Sequence, residues 1–519
     1  MTTSISNAGT EAPVQADVAA ATAARGATKG TRTRVKAVHT LASSFIFFIL
    51  CAALVLSTLA YGTVHYWSLA VFQLGAALII ILWALDAWRS RLLRLSRNAL
   101  QWPLLGLFLL GLFQLLPLGD ARETGQLLSV GVQPVRSLSL DPYATRLVLV
   151  QVLALFVYFA AVLAFTDSPR RLRLLVRTII IFGFALAIFG VIQSFTSPTK
   201  VYWLRELQQS TPFGPFINRH HFAGYMEMTL ALPLGLLFSG AIEKDKRVLY
   251  IFASALMGVA LIMTGSRGGI ISLCALVLFL ATLTGLGLRR REGEGSGRHG
   301  AEGRARVGQK GMLVRAGLAL GLVLAFLLGT VLLGGESALS RFVGTVNAED
   351  PTTGRAHFWS VTLDIIRHHP LLGTGLGAFG VVYTRYDSRN GMYRLDQAHN
   401  DYLQIVSDGG VAGLALGLFF VLALFRLGVA ECRSEDMFRR GVAMGALAGC
   451  FAVLVHSFFD FTLHTTANAL LFLTMAALAT LKGRVEQLET GGHRRRRRRH
   501  GSRSAEERLD ATTLPTAAS

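Results

Sequence analysis

Charge is scarce in this sequence, and so is cysteine. Only 16% of the 519 residues are Asp, Glu, Lys or Arg, against 52% hydrophobic, and the mean hydropathy is +0.48. That balance excludes an ordinary soluble domain. The four cysteines exclude a disulfide framework: Cys51, Cys274 and Cys450 lie inside apolar runs and Cys432 in a basic loop, with no metal-ligand spacing among them. No strong repeat joins the two halves, which counts against an inverted-repeat transporter. Acidic residues are outnumbered, giving a formal net charge of +20. In a soluble chain such an excess points to nucleic acid. A polytopic membrane protein gathers Lys and Arg in cytoplasmic loops for topological reasons, so nucleic acid is not an expected partner here.

What the sequence does have is long apolar runs. A hydrocarbon core about 30 Å thick takes about 20 helical residues to cross. Runs of that kind lie near 41–60, 66–85, 99–117, 146–166, 174–194, 222–241, 248–264, 268–288, 314–334, 405–427, 441–460 and 465–481. They predict an all-α polytopic membrane protein with about twelve spans and one large extracytoplasmic loop, 335–402. Residues 1–40, rich in Ala, Thr and Gly, read as a disordered cytoplasmic tail rather than a signal peptide. A first bundle covers 41–288, a basic Gly-rich cytoplasmic linker 289–313, a second bundle 314–482 and a disordered Arg-rich tail 483–519.

Loop charge tests the span count. With the N-terminus inside, alternate loops carry Arg89, Arg91, Arg94 and Arg97; Arg170, Arg171 and Arg173; Lys244, Lys246 and Arg247; Arg289 to Arg291; and Arg433, Arg439 and Arg440. All fall on the cytoplasmic side, which predicts both termini inside. The run Arg494 to Arg499 reads as a contact with anionic lipid headgroups.

The same sidedness gathers a second set of polar residues on the outer face: Arg219 after Asn218, Arg267 within Gly265-Ser266-Arg267-Gly268-Gly269, and the whole 335–402 loop. An arginine on the side that the positive-inside rule avoids calls for a specific anionic partner. Arg267 sits in a tight hairpin whose glycines allow close approach, with an ion pair to Glu227 as the structural alternative. Arg355 opens an amphipathic helix and shares a face with Trp359. His456, Asp460 and His464 recur every four residues as a polar stripe on the eleventh span, expected to support a cavity. His399 stands where the loop feeds into a span; at a helix N-terminus an imidazole is favoured neutral and able to accept a proton. Asp401 or Asp396 is available to orient it.

Together, Gly265 to Gly269, Gly354-Arg355 with Trp359, Pro370-Leu-Leu-Gly-Thr-Gly-Leu-Gly377 and Ala398-His399-Asn400-Asp401-Tyr402-Leu403 resemble the O-antigen ligase and polymerase superfamily, over about 218–481. The resemblance implies a bacterial inner-membrane glycosyltransferase. Such an enzyme is inverting and metal-independent, needs no cofactor, and takes its donor from a polyprenyl-diphosphate-linked glycan on the outer face. Carried over by motif, His399 is the catalytic histidine and Arg267 and Arg355 are diphosphate ligands. Arg219 and Trp359 join them as substrate-binding candidates, with Asn400, Asp401, His456, Asp460 and His464 supporting. The segment Arg219-His220-His221 departs from the family's asparagine-rich pattern. Chemistry agrees: a diphosphate leaving group needs its charge stabilised rather than a proton, which guanidinium groups do, and an acceptor hydroxyl needs a base. A lipid core, a glycan repeat and a protein hydroxyl all remain open as acceptor. An anion transporter of bicarbonate type, sharing the superfamily's pattern, is the alternative.

Overall fold

A computed structural model describes residues 39–118, 136–208, 210–294, 354–389 and 395–481. The apolar runs become helices: α1 (Leu41–Leu59), α2 (Tyr66–Ser90), α3 (Gln101–Gln114), α4 (Pro142–Phe165), α5 (Pro169–Thr196), α6 (Arg219–Ser239), α7 (Arg247–Met263) and α8 (Arg267–Glu294). After the loop come α9 (Arg355–His368), α10 (Phe379–Tyr386), α11 (Asp401–Glu431), α12 (Met437–His456) and α13 (Thr466–Thr480). Among the described residues nine helices are long and apolar enough to cross a bilayer, and α3 and α13 are shorter apolar helices. The protein is an all-α polytopic membrane protein. The expected span 314–334, the tail before residue 39, most of the 289–313 linker, residues 335–353 and the arginine run 494–499 lie outside the described residues. At the linker's start the helix runs on, since α8 continues to Glu294.

Local sequence sets where the helices begin. Asp141 and Ser168 each accept a backbone hydrogen bond at an N-terminus that continues with proline, opening α4 and α5. Asn218, Asn400 and Asp436 cap α6, α11 and α12 in the same way. The core is α6, buried continuously from His221 to Leu236, as expected of a helix that is apolar all round. It packs on α12 through small residues. Gly441, Gly445 and Gly449 recur every four residues, and a Cβ on Gly235 would overlap the Gly445 backbone. Lipid tails are as apolar as leucine, so such close backbone approach, rather than exclusion of water, holds the pair together.

One end of the bundle is tied by basic residues. Arg94 bridges Asp86 at 3.1 Å and Asp167 at 2.6 Å, Arg171 reaches Asp167 at 3.3 Å and Ser43 at 2.7 Å, and Arg439 reaches Glu431 at 2.8 Å. At the opposite end lie the α7–α8 turn, the starts of α6, α11 and α13, and the end of α12, linked by His220 to Ser266, Asp401 to Ser457 and His221 to Thr465.

Helix α11 is broken at Gly410 (φ 60°, ψ −156°), and residues 370–377 slot into the break. Val411 N–H donates to the Pro370 carbonyl at 2.8 Å, and Thr374 and Gly375 N–H donate to the Ser407 and Asp408 carbonyls at 2.9 and 3.1 Å. Gln114 of α3 closes the joint, donating to the Leu372 and Asp408 carbonyls and accepting from Leu376 N–H. In a membrane every such group must find a protein partner. The glycines of the 370–377 segment follow from this: Gly373, Gly375 and Gly377 all have positive φ, and a Cβ on Gly373 would overlap the Asp408 carbonyl.

Candidate functional site

Five segments meet at the end of the bundle away from the basic layer. Asn218 caps α6 and so points Arg219 and His220 inward at its first turn. In the α7–α8 turn, Gly265 has φ +62°, and Ser266 Oγ accepts from Gly269 N–H at 3.2 Å, which sets Arg267 at the start of α8. Gly268 is glycine for a steric reason: a Cβ there would lie 2.8 Å from His456 Cδ2 and 3.0 Å from Phe459 Cβ. Its absence lets the end of α12 close over the turn.

Helix α12 stops at His456 rather than running to 460. The Ser457 carbonyl accepts from Asp401 N–H at 3.0 Å and its hydroxyl donates to Asp401 Oδ2 at 2.7 Å, so the start of α11 takes the groups that a further turn of helix would use. The expected stripe therefore comes apart. His456 Nδ1 meets Glu227 Oε1 at 2.8 Å, His464 Nδ1 meets Asp401 Oδ1 at 2.8 Å, and Asp460 turns into the site. Glu227 is thus the partner of His456, not of Arg267. The carboxylate on His399 is Asp460, not Asp401 or Asp396.

Asp460 is the hub. Its side chain is 1% exposed. Oδ1 accepts from Phe461 N–H at 2.8 Å and lies 3.3 Å from His399 Nδ1. Oδ2 lies 3.5 Å from Arg355 Nη2 and 3.8 Å from His220 Nδ1. Burial works to raise its pKa. The hydrogen bond from His399 and the charges of His220, His221 and His399 outweigh burial and hold the carboxyl below the carboxylate range. An ionised carboxylate offers only lone pairs. Nδ1 of His399 is therefore the donor of that hydrogen bond, which in the neutral ring leaves the lone pair on Nε2. The His399 ring is flanked by Phe461 at 4.8 Å and Phe358 at 6.2 Å. Its backbone has φ +51°, an uncommon region for a non-glycine residue, one residue before the Asn400 cap. Asn400 accepts from Tyr402 and Leu403 N–H and donates to the Phe458 carbonyl at 3.2 Å.

Beside this hub is a cavity of about 110 Å³ lined by Arg219, His220, Arg267, Arg355, His456, Phe459 and Asp460, with Gly265 and Gly268. Several waters fit in such a volume, so a phosphate group does too. Three guanidinium groups and one carboxylate stand in its lining, so cationic groups outnumber anionic ones there. His399 stands beside the cavity, joined to it through Asp460. Trp359 does not line it: its indole N–H is buried without a hydrogen-bond partner. His464 stays outside, on Asp401. Desolvation pulls the pKa of His464 down, but the hydrogen bond and charge of Asp401 outweigh it and raise the pKa. His220 and the carboxylate behind His456 are functional candidates that sequence spacing did not single out. The signal for Glu227 was present, as an ionisable residue inside an apolar run.

Residues 252–418 match the family model described as O-antigen ligase. The matched segment includes Arg267, Arg355 and His399 and ends before Asp460. No curated protein matches the chain. The match supports the O-antigen ligase and polymerase superfamily, whose members transfer glycans at bacterial membranes.

Proposed function

We propose that this superfamily member, a multi-pass protein of the bacterial inner membrane, moves a glycan from a polyprenyl-diphosphate carrier to an acceptor hydroxyl on the outer face. The observation that carries the reading is Asp460, which touches both His399 and Arg355 and borders the cavity where Arg219 and Arg267 converge. One carboxylate couples a base to an anion site. A lipid-linked sugar diphosphate is a dianion, and the three arginines in the cavity's lining suit an anionic ligand.

In the proposed step the acceptor oxygen attacks the anomeric carbon and gives its proton to His399 Nε2. The bond from that carbon to the phosphate oxygen breaks, and its electron pair stays on the diphosphate, whose charge the guanidinium groups stabilise. A single displacement of this kind inverts the anomeric centre and calls on no metal. A positioned base contributes about 10² to 10⁴ in rate. The imidazolium that forms is stabilised by Asp460. Loop charge supports the matching sidedness, with the basic layer at the far end inside, the cavity outside and both termini in the cytoplasm.

The test is transfer in proteoliposomes from a lipid-linked oligosaccharide to a lipid core, a glycan repeat and a peptide hydroxyl in turn, reading which product appears and its anomeric configuration. His399→Ala is expected to stay folded and to abolish product. Normal product from that variant would refute the assignment of the base.

A further inference from the structure

The site holds a second histidine–carboxylate pair that the reaction above does not use. His456 and Glu227 are fully buried, with Nδ1 and Oε1 2.8 Å apart. Glu227 Oε2 and His456 Nε2 have no hydrogen-bond partner, although a buried polar group left unmade costs free energy. His456 lines the anion cavity, and its Nε2 lies over Gly268, 3.0 Å from where a Cβ would stand.

The proton count fixes what Nε2 presents. A buried pair avoids net charge, and two arrangements meet that condition. Either a carboxylate faces an imidazolium, or a carboxylic acid donates to Nδ1 of a neutral ring. In both, Nε2 carries hydrogen. The third arrangement, a carboxylate against a ring protonated only on Nδ1, strands a negative charge in an enclosed site. For Asp460 with His399 that third form is accommodated, because Arg355 stands beside the carboxylate and the ring is 30% exposed. The two pairs therefore have opposite polarity, His399 as acceptor and His456 as donor.

We propose that His456 Nε2–H is a fourth hydrogen-bond donor to the donor substrate's diphosphate, beside the three arginines, with Glu227 as the residue that positions it. The inference rests on the transferase reading. As the glycosyl carbon–oxygen bond breaks, the electron pair goes to the phosphate oxygen and the diphosphate gains a third negative charge. A donor held at that oxygen strengthens as the charge develops. No proton leaves His456 in the step.

Two measurements test this in the full-length protein. One is the affinity for inorganic diphosphate by calorimetry, and the other is kcat and KM for transfer from lipid-linked donor. The probe variant is the double replacement Glu227→Leu with His456→Phe, which removes the donor without leaving a buried charge unpaired. His456→Gln, which can keep an N–H near the Nε2 position, is the rescue. The double variant should bind diphosphate roughly ten- to a hundredfold more weakly and lose about 10² to 10³ in kcat with a smaller change in KM. His456→Gln should recover part of both. If the double variant binds diphosphate and turns over like the parent, the donor role is wrong and the transferase reading stands. If the parent transfers no glycan while its diphosphate affinity depends on His456, the transferase reading fails and the anion-donor assignment stands.

Discussion

Replacing Asp460 with asparagine separates the two jobs assigned to this cavity, because they respond with opposite signs. Phe461 N–H donates to Oδ1, so the amide oxygen must take that position and the NH₂ group must take the place of Oδ2, facing Arg355 and His220. The oxygen still accepts from His399 Nδ1, so the tautomer survives and only the charge is lost. At the observed 3.3 Å, a full charge opposite imidazolium is worth about 5 kcal/mol at an effective dielectric of about 20. Proton transfer is incomplete in the transition state and the amide dipole keeps part of the interaction. About 2.7–4 kcal/mol is then lost, a hundred- to thousandfold in kcat. The cavity's lining meanwhile loses its one carboxylate charge, so donor KM should hold or fall. Steady-state kinetics in proteoliposomes, with size-exclusion behaviour as the folding control, reads both. A variant with unchanged kcat and raised KM would show that Asp460 organises the anion site and does nothing for His399.

Three further outcomes are expected. Arg267→Lys and Arg355→Lys should each raise donor KM about tenfold or more, because a point charge does not replace bidentate phosphate contact; parental KM in both would remove the arginines from the clamp. Gly268→Ala should cost about 1–3 kcal/mol of stability, since its methyl meets His456 and Phe459, and a melting curve matching the parent's would contradict the close approach. His464, whose pKa is raised, adds stability that is fully present below its unfolded value of about 6.5 and is lost as pH rises through the folded one. The thermal midpoint of His464→Gln should therefore lie below the parent's near pH 6 and converge with it at higher pH. A gap that does not change with pH would deny the linkage.

How much of this was legible in the sequence depends on range. Spans are local and cumulative, so twenty apolar residues declare themselves, and each expected span within the described residues falls on a helix. Where a helix stops is a tertiary matter: Phe458, Phe459 and Phe461 extend the apolar run past His456, and nothing nearby in sequence reveals that Ser457 is bonded to Asp401. The carboxylate on His399 is hidden from the sequence for the same reason. Asp396 and Asp401 are its neighbours along the chain, whereas Asp460 is 61 residues away. Arg219, Arg267 and Arg355 were set apart because loop charge did not explain them, and they line one cavity. The pairing of Glu227 with His456 was out of reach, since it depends on the face that α6 turns to α12.

The break in α11 bears on how the protein is made. Its open backbone groups are answered by residues 370–377, which leave the ribosome before the helix does. The second half of α11 can therefore settle in lipid only when that upstream segment is already waiting beside it. Biogenesis of this span should thus depend on a docking event, and chains interrupted between the two pieces should stall during insertion and be cleared by quality control.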